Sequence, residues 1–170
     1  IAESGSKATA GNVKVSGEYM TGASACGDST VHVKGDVTAT GENSVGIDGE
    51  TGTIKVGGDV SGIEAVVARG EADVTVGGSV SGTLSGIVAV GNASVSVKGD
   101  AETKVGPGVF AQENATVTVD GNVTGGTFYE APEGYEYVYP AIIAGAGTTV
   151  IVKGTVSTAE RNFFAVGINC

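Results

Sequence analysis

The stretch VTVGGSVSGTLSGIVAVGNASVSVKGD, Val74 to Asp100, decides the fold. It holds one whole repeat and the opening of the next. V-x-V-x-G comes first, followed by a small polar residue and a valine. A glycine-bearing turn leads to G-I-x-A-x-G, and a short polar corner leads back to V-x-V-x-G. Alternation at V-x-V puts both valines on one side of an extended segment and the middle residue on the other. A glycine followed by Asp or Ser reads as a corner, because glycine tolerates unusual backbone angles and the short polar side chain bonds nearby backbone.

The same pattern runs along most of the chain. Aligned on the first apolar residue of V-x-V, repeats start at Val13, Val31, Ile54, Val74, Val95, Val117 and Val150. The spacings are 18, 23, 20, 21, 22 and 33 residues. A period in the low twenties marks a stacked architecture, in which one repeat cannot bury its apolar face alone. A leucine-rich repeat is excluded, because Leu84 is the only leucine.

Each coil reads as three short strands. V-x-V is the first. The second opens at Val37, Val60, Val80, Val123 and Val156, after the corners Gly35-Asp36, Gly58-Asp59, Gly78-Ser79, Gly121-Asn122 and Gly154-Thr155. Gly99-Asp100 is a further corner of this kind. The third strand is G-I-x-A or a variant, at Gly46-Ile47, Gly86-Ile87, Gly108-Val109, Ala141-Ile142 and Gly167-Ile168. Ala89, Ala93, Ala111 and Ala115 suit a narrow interior. The predicted fold is all-β: a single-stranded, right-handed parallel β-helix (β-solenoid) of about seven coils of about 20–23 residues. Residues 1–170 form one domain, expected to be a segment of a longer protein, since Ile1 to Gly5 and Phe163 to Cys170 both read as parts of third strands.

The net charge of −10 argues against nucleic acid or an anionic membrane as partner. No apolar run approaches the roughly 20 residues of a spanning helix, so no direct membrane insertion is expected. Thirty glycines without a collagen period read as solenoid corners. About six coils, at roughly 4.8 Å each, separate Cys26 from Cys170, too far for a disulfide. Cys26 reads as a small core residue, and His32 as an outward surface residue.

One coil carries a Tyr-rich insertion at about 126–140, GTFYEAPEGYEYVYP. Four of the five tyrosines lie there. Ala131-Pro132-Glu133-Gly134 is turn chemistry, and the segments on either side can pair as a hairpin. Phe128, Tyr129, Glu130, Tyr135, Tyr137 and Tyr139 are the candidate ligand-binding residues. Aromatic faces stack on sugar C–H groups, and carboxylates accept hydroxyl protons. The alternative role for the same side chains is a local apolar cover on the solenoid flank. Asp36 and Asp59 are the candidate metal ligands, since stacked carboxylates at one strand spacing repel unless a cation such as Ca²⁺ lies between them. Ser, Asn and Thr replace Asp further along that column, so a corner role competes and no cofactor is required. Columns flanking the first strand carry Thr30, Thr53, Asp73, Ser94, Thr116 and Thr149, and His32, Lys55, Thr75, Ser96, Thr118 and Ile151. Only Thr116-Val117-Thr118 is a Thr-x-Thr of the kind ice-binding arrays use, and Lys55 and His32 interrupt the ladder, so ice binding is not expected.

No G-x-S-x-G, phosphate loop or H-E-x-x-H occurs. Arg69 and Arg161 are the only arginines, several coils apart. Asp73 and Glu71 beside Arg69 read as an ordinary charged surface. An enzyme is therefore not expected.

G-x-x-S-x-G-I at Gly41 to Ile47 (GENSVGI), followed by V-x-V-x-G-D-V at Ile54 to Val60 (IKVGGDV), resembles repeats of bacterial surface and secreted β-helix proteins. These include adhesin-like proteins and autotransporter passengers, and the resemblance covers about Val13 to Cys170. It implies an extracellular or cell-surface location and a glycan or host/cell-surface protein as partner. The expected function is a non-enzymatic adhesin-like or scaffold segment contacting its partner through the insertion. The alternative is a carbohydrate-active module that binds or cleaves acidic polysaccharide with calcium.

Overall fold

The computed structural model describes residues 1–2, 4–126, 129–130, 136–137 and 139–158. The strands follow one another as β1 (Lys7–Ala10), β2 (Val13–Ser16), β3 (Thr21–Ala25), β4 (Thr30–Val33), β5 (Val37–Thr40), β6 (Val45–Gly49), β7 (Thr53–Val56), β8 (Val60–Ala68), β9 (Asp73–Val76) and β10 (Val80–Val90). They continue as β11 (Ser94–Val97), β12 (Ala101–Thr103), β13 (Val109–Gln112), β14 (Thr116–Val119), β15 (Val123–Gly125), β16 (Tyr129–Glu130), β17 (Glu136–Tyr137), β18 (Ile142–Ala144), β19 (Thr149–Val152) and β20 (Val156–Thr158). No helix occurs among the described residues. Apart from the antiparallel β16–β17 pair, all pairing among the described residues is parallel, and the strands stack into a β-solenoid of about five turns.

The first face is a seven-stranded sheet in the order β1-β4-β7-β9-β11-β14-β19. Its register matches like with like: Val31 on Ile54, Ile54 on Val74, Val74 on Val95, Val95 on Val117. These side chains point inward and are almost fully buried. The second face stacks β2, β5, β8, β10, β12, β15 and β20, and the third stacks β3, β6, β8, β10, β13 and β18. In β8 and β10 the second and third faces are one continuous strand rather than the two short strands read from the sequence. β10 accommodates an extra residue as a bulge between Gly82 and Ser85, and Leu84, within it, is half exposed.

The core is a column of Val, Ile and Ala. Ala89, Ala93, Ala111 and Ala115 all lie in it, as the narrow interior requires. Burying each valine contributes roughly 1.5–3 kcal/mol. Ala2 bridges Ala25 in parallel, which sets Ala2 on the third face. Gly167-Ile168 and Phe163 to Cys170 lie outside the described residues.

Two sequence readings are corrected. Val13 does not open a first strand; it pairs with Val37 on the second face. The residue that belongs to the first-strand column is Ala8, which pairs with Val31. The segment KATA carries alanine where later coils carry valine, so alignment on V-x-V slid past it and gave the short spacing of 18. Cys26 is not a core residue: it is half-buried, with its thiol 3.7 Å from the carbonyl oxygen of Ala2.

Candidate functional site

The corner between the first and second faces is built by side chains that reach along the solenoid axis. Asn12 Oδ1 accepts the backbone N–H of Asp36 at 3.1 Å. Asp36 Oδ1 accepts that of Asp59 at 2.9 Å, and Asp59 Oδ1 that of Ser79 at 2.7 Å. Ser79 Oγ takes the N–H of Asp100 at 3.1 Å, Asp100 Oδ1 that of Asn122 at 2.7 Å, and Asn122 Oδ1 that of Thr155 at 2.8 Å. Each corner leaves one N–H outside the sheet ladders, and the preceding coil supplies its acceptor.

The glycine beside each polar residue follows from this geometry. A Cβ built at Gly35, Gly58, Gly78, Gly99, Gly121 or Gly154 collides with the capping oxygen from the coil before: Asn12, Asp36, Asp59, Ser79, Asp100 and Asn122 respectively. The Gly-polar pair is therefore one device repeated. Glycine clears the space and the polar side chain of the preceding coil fills it.

Asp36 and Asp59, the sequence-level metal candidates, are the second and third members of this ladder. Each spends Oδ1 on a backbone N–H, and its Oδ2 takes no part in that bond. No group of three or more His, Cys, Asp or Glu among the described residues is arranged to hold a metal ion.

On the second face, an outward row continues beside the ladder. Thr38 stacks on Ser61, Ser61 on Ser81, and Ser81 on Glu102. Ser81 Oγ donates to Glu102 Oε1 at 3.0 Å. Glu102 lies within β12. Two concavities of about 360 and 270 Å³ lie along this row and share Ser61 and Ser81.

The outward columns of the first face fall as the sequence places them, with His32 exposed between Thr9 and Lys55. Arg69 pairs with Asp48 at 2.7 Å, one coil back, rather than forming a local cluster with Glu71 and Asp73. Asp120 lies between Lys98 and Lys153, at 3.0 and 2.8 Å. The Lys153 ammonium, and after it that of Lys98, holds the Asp120 carboxyl below its ordinary value.

Of the insertion residues, Tyr129 and Glu130 lie on β16 and Tyr137 on β17, and the register sets Tyr129 opposite Tyr137 and Glu130 opposite Glu136. Tyr139 is exposed at 38%. Phe128 and Tyr135 lie outside the described residues.

The third face carries a row that the G-I-x-A reading left unused. Its x position stacks Asp48, Val67, Val88, Phe110 and Ile143. Val66 and Ala68 on either side of Val67 point into the core column, so this row alternates away from it; Val67 is nevertheless buried, and the other four members are half-buried. The signal was present in the sequence as an apolar x in A-V-V-A, G-I-V-A, G-V-F-A and A-I-I-A.

No family model, no curated protein and no solved structure matches the chain. No helix among the described residues is long and apolar enough to cross a membrane.

Proposed function

We propose that the chain is a stiff, non-enzymatic scaffold segment of an extracellular bacterial surface protein, adhesin-like in role. The observation that carries this reading is the corner ladder. Two continuous parallel sheets run along the axis, and side chains stitch the corner between them coil by coil. Such cross-linking resists bending, and each unit depends on its neighbours. Within the same proposal, residues 1–170 are one domain of about seven right-handed coils. The insertion at about 126–140 contacts a glycan or a cell-surface protein, through Tyr129, Glu130, Tyr137 and Tyr139 together with Phe128 and Tyr135.

The test is a binding screen on glycans and cell-surface proteins, using the folded chain and a folded variant with Tyr129, Tyr135, Tyr137 and Tyr139 changed to Ala. Partner binding that disappears in the variant, with no breakdown of any polysaccharide, supports the reading. Depolymerisation of a polysaccharide by the pure chain would overturn it in favour of a carbohydrate-active module.

A further inference from the structure

The triplet Asn-x-Ser/Thr occurs three times: Asn92-Ala93-Ser94, Asn114-Ala115-Thr116 and Asn122-Val123-Thr124. It is the acceptor pattern for N-linked sugars, which are carried at the protein surface. The fold treats the three differently. Asn92 and Asn114 occupy equivalent places on successive coils, in the corner that leads from the third face to the first. Both asparagines are exposed, and so are Ser94 and Thr116. Ala93 and Ala115 are almost fully buried, which leaves the carboxamide and the hydroxyl of each triplet on the outer surface. The backbone turns there through left-handed residues: Gly91 at φ 81°, Glu113 at 57° and Asn114 at 68°. Among the described residues, asparagine side chains make hydrogen bonds at Asn12 and Asn122, and at neither Asn92 nor Asn114. A Cβ at Gly147 would fall on Asn114 Oδ1, so the glycine keeps that amide clear of the next coil. Asn122 stands instead on the ladder corner. Its Oδ1 accepts the Thr155 N–H at 2.8 Å, and Thr124 Oγ1 lies 3.4 Å from Ser157 Oγ. Both polar groups of that triplet are engaged with the next coil.

We propose that Asn92 and Asn114 are N-glycosylation sites of the folded solenoid and that Asn122 is not. The co-substrate is a sugar activated at its anomeric carbon by a diphosphate, brought by a glycosyltransferase. The C1–O bond to the diphosphate breaks and a C1–Nδ2 bond forms. The diphosphate leaves with the electron pair of the broken bond, and Nδ2 gives one proton to a base of the enzyme, so nothing is oxidised or reduced. An amide nitrogen is a weak nucleophile, because its lone pair is delocalised into the carbonyl. The transferase must therefore turn the carboxamide. Asn92 and Asn114 can turn, whereas the Thr155 N–H ties Asn122 by its Oδ1. The two sites use no residue of the insertion and stand whether or not the insertion binds a partner.

The test uses the folded full chain, UDP-glucose and a purified N-glycosyltransferase that modifies synthetic peptides carrying each of the three triplets. Peptide mass mapping over time gives the initial rate at each asparagine. The expected result is hexose on Asn92 and on Asn114, with Asn122 modified at least tenfold more slowly than either, although its free peptide reacts. Thr116→Ala should abolish modification of Asn114 and leave Asn92 as an acceptor. Ser94→Ala should do the reverse. Modification of Asn122 in the folded chain as fast as that of Asn92 and Asn114 would overturn the proposal. So would unmodified Asn92 and Asn114 under conditions in which their free peptides react. The tyrosine variant of the preceding test should be modified at both sites as the parent is, which separates this inference from the role of the insertion.

Discussion

Asp36 Oδ1 accepts the backbone N–H of Asp59 at 2.9 Å, and a Cβ at Gly58 would fall on that same oxygen. The repeated Gly-Asp corner is thus a contact between successive coils rather than a local turn preference. One residue type makes the bond and the other admits it.

Replacing Asp59 by Ala removes the acceptor for the Ser79 N–H. The corner is exposed, so water recovers part of the loss, and a cost of about 0.5–1.5 kcal/mol is expected. Asp59→Asn keeps the acceptor and relieves repulsion from Asp36, so it should be neutral or slightly stabilising. Urea unfolding of the two variants beside the parent measures the difference. Equal destabilisation by both would contradict the ladder.

The glycine column gives a positional contrast. Gly58→Ala and Gly99→Ala place a methyl group where a capping oxygen sits, and each should cost roughly 1–3 kcal/mol as overpacking and a lost bond. At Gly11, in the same column, a Cβ meets nothing within 4 Å. Gly11→Ala should therefore leave the thermal midpoint unchanged within error. A comparable loss at Gly11 would show that conformation, not the neighbouring coil, selects glycine here.

Core truncations should grade along the axis. Ile87 is fully buried in the middle of the stack, and Ile87→Ala should cost about 2–5 kcal/mol. Val15 in β2 is only half-buried, with the next strand on one side alone, and Val15→Ala should cost well under half as much. Chemical unfolding of both variants tests the order.

Asp120 governs an acid-sensitive contact. Its carboxyl titrates below the ordinary value of 3.8 in the folded chain because Lys153 and Lys98 favour its charged form. A depressed folded value means that the stabilisation is fully present above the unfolded value and lost as pH falls through the folded one. Stability should thus decline below about pH 4. Asp120→Asn should remove this pair's share of the decline, and added salt should shrink it, since the lysines are exposed. Thermal midpoints from pH 2 to 6 at two ionic strengths provide the readout. Identical acid limbs in parent and variant would assign the decline to other carboxylates.

The stacked fold was legible because a solenoid writes its register into the chain. Val, Ile and Ala return to the same inward columns, and Gly-polar pairs mark the same corner. Ala8 was missed because its coil fills the core with alanine, and a valine-based alignment then moved Val13 to the wrong face. The same slip hid Asn12, the first capping residue of the ladder. The continuous strands β8 and β10 were not foreseen, since glycines such as Gly62 and Gly82 read as breaks although parallel pairing carries the strand through them. The concave row on the second face was hidden for a different reason. Asp36, Ser61, Ser81 and Glu102 are spread over four coils and become neighbours only through stacking.

The corner ladder also has a direction. In every rung from Asn12 to Thr155, the side-chain acceptor belongs to the earlier coil and the N–H to the later one. A chain that emerges N-terminus first from the ribosome, or from an export channel in that same orientation, always presents the acceptor before its donor exists. A coil added at the C-terminal end would therefore find its acceptor already in place, like a course of masonry laid on the last. Threaded in the opposite sense, the same sequence would expose donors with nothing yet built to receive them.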